Sequence, residues 1–109
     1  MLGETVAIAV ALTTAPSEDK AAELARALVA EGLAACVNIV PAVRSIYTWK
    51  GEVQDEAEVL CVVKTRRDRI EALRARLVAL HPYEVPELVV LDVTGGHEPY
   101  LAWVADSVR

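Results

Sequence analysis

The chain has 109 residues, 54% of them hydrophobic and 25% charged, which is the size and composition of one soluble globular domain spanning residues 1–109. Its net charge of -5 gives no positive field, which argues against binding to nucleic acid or to an anionic membrane. A core of this size is marginally stable alone, so association with further copies would help.

The N-terminal third predicts a strand followed by a helix. Residues 6–13 form a short apolar run with β-branched residues, typical of a strand buried on both faces. No Lys or Arg precedes this run and it is too short to span a bilayer, so we expect a cytoplasmic protein. Ser17 is a good N-cap for the helix, and Gly32 is a suitable residue to end it.

The middle of the chain predicts a long β-hairpin. Residues 36–49 and 53–65 have the composition of strands, residues 50–52 (KGE) form a turn signal, and Pro41 predicts a bulge, a bend or a sheet edge. An arm of about a dozen residues spans roughly 40 Å at ~3.3 Å per residue. A domain of ~100 residues is only about 35 Å across, judged from its expected radius of gyration. We therefore expect the tip of the hairpin to protrude and to pack on another subunit.

The C-terminal part predicts a helix over residues 67–81, a strand over 87–94 that ends at two glycines, and a short last helix. Pro99 suits the first turn of that helix. The resulting order predicts an α+β domain with the ferredoxin-like split β-α-β fold. Single Asn, Gln and Met residues are weakly indicative of a thermostable protein.

Several segments resemble the CutA family of divalent-cation tolerance proteins: LTTAP, LAACVNIVPAVRSIYTWKGEV, VVKTR, HPYEVPEL and YLAWV. The resemblance covers essentially the whole chain. It implies a homotrimer without enzymatic activity or catalytic residues, in which each hairpin reaches across to a neighbouring subunit. Ile46, Tyr47 and Trp49, near the tip of the hairpin, are expected to form the trimer interface.

The segment HPYEVPEL has two interpretations. Each residue before a proline is pushed out of the helical region, so the segment predicts a stiff connector between helix and strand. Imidazole and carboxylate groups are also plausible ligands of copper or zinc, and the resemblance implies that the histidine binds copper. We therefore expect His81 and Glu84 to bind copper or another divalent metal weakly. Members with a fuller set of donors carry a cysteine and a second histidine at the positions of Thr13 and Leu80, so tight binding is not expected.

A further set of residues is expected to line a cleft between subunits: Thr13, Lys64, Tyr83, Glu87 and Trp103. This cleft suggests an alternative function, a signalling trimer similar to the PII proteins that binds a small ligand between subunits. A scaffolding trimer that presents a partner protein is another alternative. Metal tolerance by a non-enzymatic trimer is the interpretation that the resemblance favours.

Overall fold

The computed structural model describes residues 6–109 of the chain. Within that range the elements follow in the order β1 (Ile8–Ala15), α1 (Glu18–Ala30), β2 (Cys36–Trp49), β3 (Glu52–Arg66), α2 (Ile70–Leu80), β4 (Val89–Asp92) and α3 (Glu98–Ser107). The strands form one sheet in the order β2-β3-β1-β4, with every neighbouring pair antiparallel. The ferredoxin-like prediction is confirmed. None of the helices in the described range is both long and apolar enough to cross a bilayer.

Helix α1 begins and ends as its sequence predicts. The side chain of Ser17 accepts a hydrogen bond from the backbone N–H of Lys20 at 3.1 Å, which satisfies one free amide of the first turn. After the helix, Gly32 has φ +74°, a left-handed conformation that glycine adopts without strain. The side chain of Arg109 packs against Gly32 so closely that a Cβ atom there would lie 2.8 Å from its Nε.

The core lies between one face of the sheet and the helices. Small and β-branched residues of β1 and β3 alternate toward this face, where they meet leucines of α1 and α2. The core cluster includes Ala11, Ala15, Val59, Cys61, Val63, Leu24, Leu28, Leu73 and Leu77. Helix α3 adds Val104, which is fully buried, and packs against β1 and β3.

The opposite face of the sheet, here called the open face, is apolar and partly exposed. Val10 and Leu12 of β1 stand opposite Leu91 and Val89 of β4, and these two β4 side chains are about half exposed. Val40 of β2 is also exposed on this face. A soluble protein rarely leaves such a contiguous patch without a partner.

The hairpin extends far beyond the rest of the sheet. Strand β3 has 15 residues, but β1 pairs with it only along residues 59–66, so its first half pairs with β2 alone. The chain measures 52 × 25 × 22 Å, and the predicted protrusion is confirmed. Lys50 and Gly51 both have positive φ, as a two-residue hairpin turn requires.

A β-bulge interrupts the hairpin at the predicted place. Val40 pairs with Leu60, but the next matched pair is Val43 with Glu58, so β2 carries one extra residue around Pro41. Proline has no N–H to donate to the ladder, which is why the irregularity falls there.

The bounds of four elements differ from the predictions. Strand β3 runs over Glu52–Arg66 rather than 53–65, because Glu52 pairs with β2 and Arg66 pairs with β1. Strand β1 runs over Ile8–Ala15 rather than 6–13, because β3 supplies partners as far as Ala15. Strand β4 is only Val89–Asp92, the four residues that pair with β1. The helix predicted for residues 67–81 begins with a 3₁₀ turn over Arg67–Arg69 and ends at Leu80.

Leu77→Ala should lower the free energy of unfolding by about 2–5 kcal/mol, because it leaves a cavity in the fully buried core. Val78→Ala is the matched control on the exposed side of the same helix and should change stability by less than about 1 kcal/mol. Denaturant unfolding of both variants would measure this. Equal losses would contradict the assignment of the buried helix face.

Candidate functional site

His81 joins the end of α2 to the end of β1. Its Nε2 lies 2.7 Å from the carbonyl oxygen of Thr14, and its Nδ1 lies 3.1 Å from the backbone nitrogen of Tyr83. A carbonyl only accepts and an amide N–H only donates, so Nε2 carries the proton and Nδ1 is the acceptor. The imidazole is therefore neutral, buried and engaged at both nitrogens. The backbone at His81 is extended, as expected for a residue before proline.

Tyr83 links the connector, residues 81–88, to the hairpin. Its ring lies against the His81 ring, with the centroids 4.7 Å apart. Its hydroxyl donates a hydrogen bond to Oε2 of Glu58 on β3 at 2.6 Å. Burial, and then the hydrogen bond to Glu58, raise the pKa of Tyr83 well above its usual range. The phenol therefore remains a donor at neutral pH.

A second tyrosine–glutamate pair lies farther out on the hairpin. Tyr47 of β2 donates its hydroxyl to Oε1 of Glu56 on β3. This hydrogen bond is the main cause that raises the pKa of Tyr47 to about 12. Glu56 and Glu58 are two residues apart on one strand, so their side chains leave the same face.

These pairs border an open cleft of about 1040 Å³, here called the acidic cleft. It lies between the part of the hairpin beyond the bulge, residues 43–58, here called the outer hairpin, and residues 82–87 of the connector. Four carboxylates and three aromatic rings contribute to its lining: Glu56, Glu58, Glu84, Glu87, Tyr47, Trp49 and Tyr83. Partial burial, and then the negative charge of Glu58, raise the pKa of Glu87. Both carboxylates line the same cleft, so each contributes to its negative charge.

The negative charge of the acidic cleft is poorly compensated. Arg44 also lines the cleft, but its guanidinium makes two hydrogen bonds to Asp55, at 2.9 and 2.7 Å. Lys50 lies 3.8 Å from Glu84 in an exposed ion pair. Among residues 6–109, no Lys or Arg forms an ion pair with Glu56, Glu58 or Glu87.

The structure brings together only some of the residues predicted to line a cleft. Tyr83 and Glu87 do line the acidic cleft. Thr13 does not, because its register opposite Cys61 turns it toward the helices, and its neighbour Thr14 lines the cleft instead. Within this chain Thr13 is buried, and a cleft between subunits that includes it stays a prediction.

The two remaining cleft candidates lie elsewhere in the single chain. The ammonium group of Lys64 donates a hydrogen bond to Asn38 and lies 3.9 Å from the sulfur of Cys36. Trp103 is on α3, where its ring lies 5.6 Å from that of Tyr100. A cleft that also includes Lys64 and Trp103 would need a second chain, and it stays a prediction.

The predicted metal ligands do not form a metal site in this geometry. Both nitrogens of His81 are engaged in hydrogen bonds, and Glu84 is an exposed carboxylate paired with Lys50. Within the described residues, no group of three or more His, Cys, Asp or Glu side chains could hold a metal ion. The connector interpretation of HPYEVPEL therefore describes His81 better than the ligand interpretation does.

The sequence reasoning missed Glu56 and Glu58. Their spacing in EAEV could have identified them, because residues two apart on a strand have side chains on the same face. The apolar residues that follow EAEV indicate that this strand continues into the core.

Comparison with known proteins agrees with the resemblance seen in the sequence. The family model of the CutA1 divalent ion tolerance protein matches residues 9–107. The divalent-cation tolerance protein CutA of Thermus thermophilus is 50% identical over 98 residues, which are 90% of this chain and 95% of that protein. The chloroplastic protein CutA of Arabidopsis thaliana is 43% identical over 97% of this chain, and the chain spans 58% of its length.

Solved structures share the fold over nearly the whole chain. The crystal structure of CutA1 from Oryza sativa has a TM-score of 0.93 and 43% sequence identity, covering 96% of both chains. CutA from Archaeoglobus fulgidus has a TM-score of 0.90 and 30% identity, covering 94% of this chain and 99% of that one. That protein is described as periplasmic, so a cytoplasmic location for this chain stays a prediction.

In an alkaline titration of the tyrosines, Tyr83→Phe should remove one phenol that loses its proton at an unusually high pH. In the folded protein the phenol keeps its proton above pH 10, where the unfolded chain releases it. The contribution of this phenol to the free energy of unfolding is therefore fully present below about pH 10 and decreases as the pH rises above that value. Phenolate absorbance followed against pH would measure this. Tyr100→Phe is the control, and an unchanged titration at high pH in Tyr83→Phe would contradict the Glu58 contact.

Proposed function

The chain belongs to the CutA1 divalent ion tolerance protein family, and we propose that it serves this role as a homotrimer without enzymatic activity. The observation that supports assembly most strongly is the protruding hairpin with exposed apolar side chains. The number of subunits follows from the resemblance of the sequence to a family of trimers.

The outer hairpin is unsuited to exist alone in water. Ile46 is 63% exposed and Val53 is 75% exposed, and Tyr47 and Trp49 are also exposed. A two-stranded ribbon with no third strand and no covering helix is only marginally stable. Burying these side chains on a neighbouring subunit would remove apolar surface from water at about 25 cal/mol per Å².

The open face of the sheet offers the neighbour a matching surface. Val40, Val89 and Leu91 present exposed apolar groups there, and β2 and β4 are the two edges of the sheet. An exposed edge has unpaired backbone donors and acceptors that another strand can satisfy. A closed ring of identical chains would cover the hairpins and the open faces together, and closed symmetry is usual for soluble oligomers.

Copper binding at His81 would have to be weak. A copper ion would need one ring nitrogen to lose its hydrogen bond to Thr14 or Tyr83, and it would find no thiolate at Thr13. Breaking a buried hydrogen bond leaves a polar group unsatisfied, which opposes metal binding by about 1–3 kcal/mol. The proposed role in cation tolerance therefore does not depend on a tight copper site at this residue.

The alternative function, binding of a small ligand, is favoured by the acidic cleft. Its volume of about 1040 Å³ is at the upper end for small-molecule sites. Its convergent tyrosine–glutamate pairs are polar groups that are already held in place by hydrogen bonds.

Light scattering of the purified protein at micromolar concentration should give a mass of about three times 11.8 kDa. Trp49→Asp should shift the mass toward that of the monomer, because it places a charge where burial between subunits is proposed. Val78→Asp, an exposed apolar position on α2, is the control and should leave the mass unchanged. A monomeric wild-type protein would refute the proposed assembly.

Titration with copper(II) should show weak binding that is lost in His81→Ala and retained in the control His97→Ala. His97 is the other histidine and lies at the start of α3. Binding should weaken as the pH falls, because a protonated imidazole nitrogen cannot bind a metal. Tight binding that survives His81→Ala would place the copper site elsewhere.

A further inference from the structure

We propose that Lys64 of one copy of the chain forms an ion pair with Glu58 of the next copy, with Glu56 beside it. Each chain then supplies the lysine to one neighbour and the glutamates to the other. This ion pair rests on the proposed assembly and specifies it, because it names the contact that orients one chain on the next.

Strand β3 carries opposite charges at the two ends of one face. Lys64 stands opposite Val10 of β1 and therefore shares the open face of the sheet. Alternate residues of the strand lie on that same face, and toward the turn these are Val62, Leu60, Glu58 and Glu56. A face that runs from positive through apolar to negative is complementary to a second copy of itself placed head to tail.

Neither charge is neutralised within its own chain. Lys64 donates a hydrogen bond to the neutral amide of Asn38, and its ammonium forms no ion pair within residues 6–109. Glu58 accepts from the neutral hydroxyl of Tyr83 and forms no ion pair in that range either. The two groups cannot meet in one chain, because the extended strand between them spans about 20 Å at ~3.3 Å per residue.

The basic side chains that follow Lys64 along the chain already have carboxylate partners. Arg66, the next β3 residue on the open face, makes two hydrogen bonds to Asp68 at 3.0 and 2.7 Å. The guanidinium of Arg67 lies 3.2 Å from the carboxylate of Asp92. Within the described range the other two lysines also form ion pairs of their own. Lys64 is thus the lysine whose charge is available to another chain.

Covering the open face makes these two charges costly unless they are paired. Glu58 is only 9% exposed and Lys64 is half-buried, and a neighbour on this face would remove the remaining water. Removing a charge from water opposes association, and an opposite charge brought into contact offsets part of that cost. The proposed interface therefore requires a positive group against Glu58 and a negative group against Lys64. A second copy of the chain supplies both.

Zero-length coupling with a carbodiimide tests this contact in the wild-type protein, because the reagent joins an ammonium to a carboxylate that touches it. The trimer is assembled from equal amounts of light and isotope-labelled chains, and the linked peptides are identified by mass spectrometry. We expect Lys64 linked to Glu58 or Glu56 in peptide pairs that combine both labels. Lys20 and Glu23, which lie 3.2 Å apart on α1, are the control and should be linked within one label only.

Reversal of the lysine charge provides an independent measurement. Lys64→Glu should raise the concentration at which the trimer dissociates by about tenfold or more, because it places a third negative charge against the two glutamates. Lys20→Glu is the matched control, because it makes the same reversal on α1, on the helix side of the sheet. It should change the dissociation concentration by less than about twofold.

The outcomes separate the ion pair from the assembly itself. A wild-type protein that is monomeric in light scattering would refute both. A trimer in which Lys20 is linked but Lys64 is not, or in which Lys64 is linked to another carboxylate, would refute the ion pair and leave the assembly intact. Equal dissociation concentrations for Lys64→Glu and Lys20→Glu would do the same. If Lys64→Glu does not fold, the coupling of the wild-type chains still decides.

Discussion

A mismatch in strand length determines most of this structure. Strand β3 has 15 residues, whereas β1 offers partners to only eight of them. The inner half of β3 is held in the centre of a four-stranded sheet, and its outer half can pair only with β2. The outer hairpin, its exposed aromatic side chains and the acidic cleft beside it all follow from this difference. The same strand therefore belongs at one end to the hydrophobic core and at the other end to a surface that requires a partner.

His81 fixes the position of the cleft relative to the sheet. By donating to the carbonyl of Thr14 and accepting from the amide of Tyr83, it holds the start of the connector against the end of β1. Tyr83 then reaches Glu58, so that a continuous set of contacts runs from α2 through the connector to the hairpin. The neutral imidazole suits this role because it can donate and accept at the same time.

The sequence predicted the elements well because their signals are local. The N-cap at Ser17, the left-handed Gly32, the irregularity at Pro41 and the extended backbone before Pro82 depend on neighbouring residues, and the structure confirms each of them. The site was predicted less well because its contacts join distant parts of the chain. The bond from His81 to Thr14 crosses 67 positions, and no local pattern shows that both ring nitrogens are used. The choice between Thr13 and Thr14 depends on strand register, where one residue changes the face of the sheet.

The extra residue at the bulge has a consequence for how this protein tolerates insertions and deletions. Beyond the bulge, Tyr47 and Trp49 share a face with Gln54 and Glu52, and so with Glu56 and Glu58. At the bulge, Pro41 and Ala42 together stand opposite Val59, so deletion of one of them would leave a regular ladder in which Val43 still faces Glu58 and Tyr47 still faces Gln54. A single deletion farther out, between Val43 and Trp49, would instead move the side chains between that point and the turn to the other face. The bulge is therefore a position at which this arm can lose one residue and keep the chemistry of the cleft.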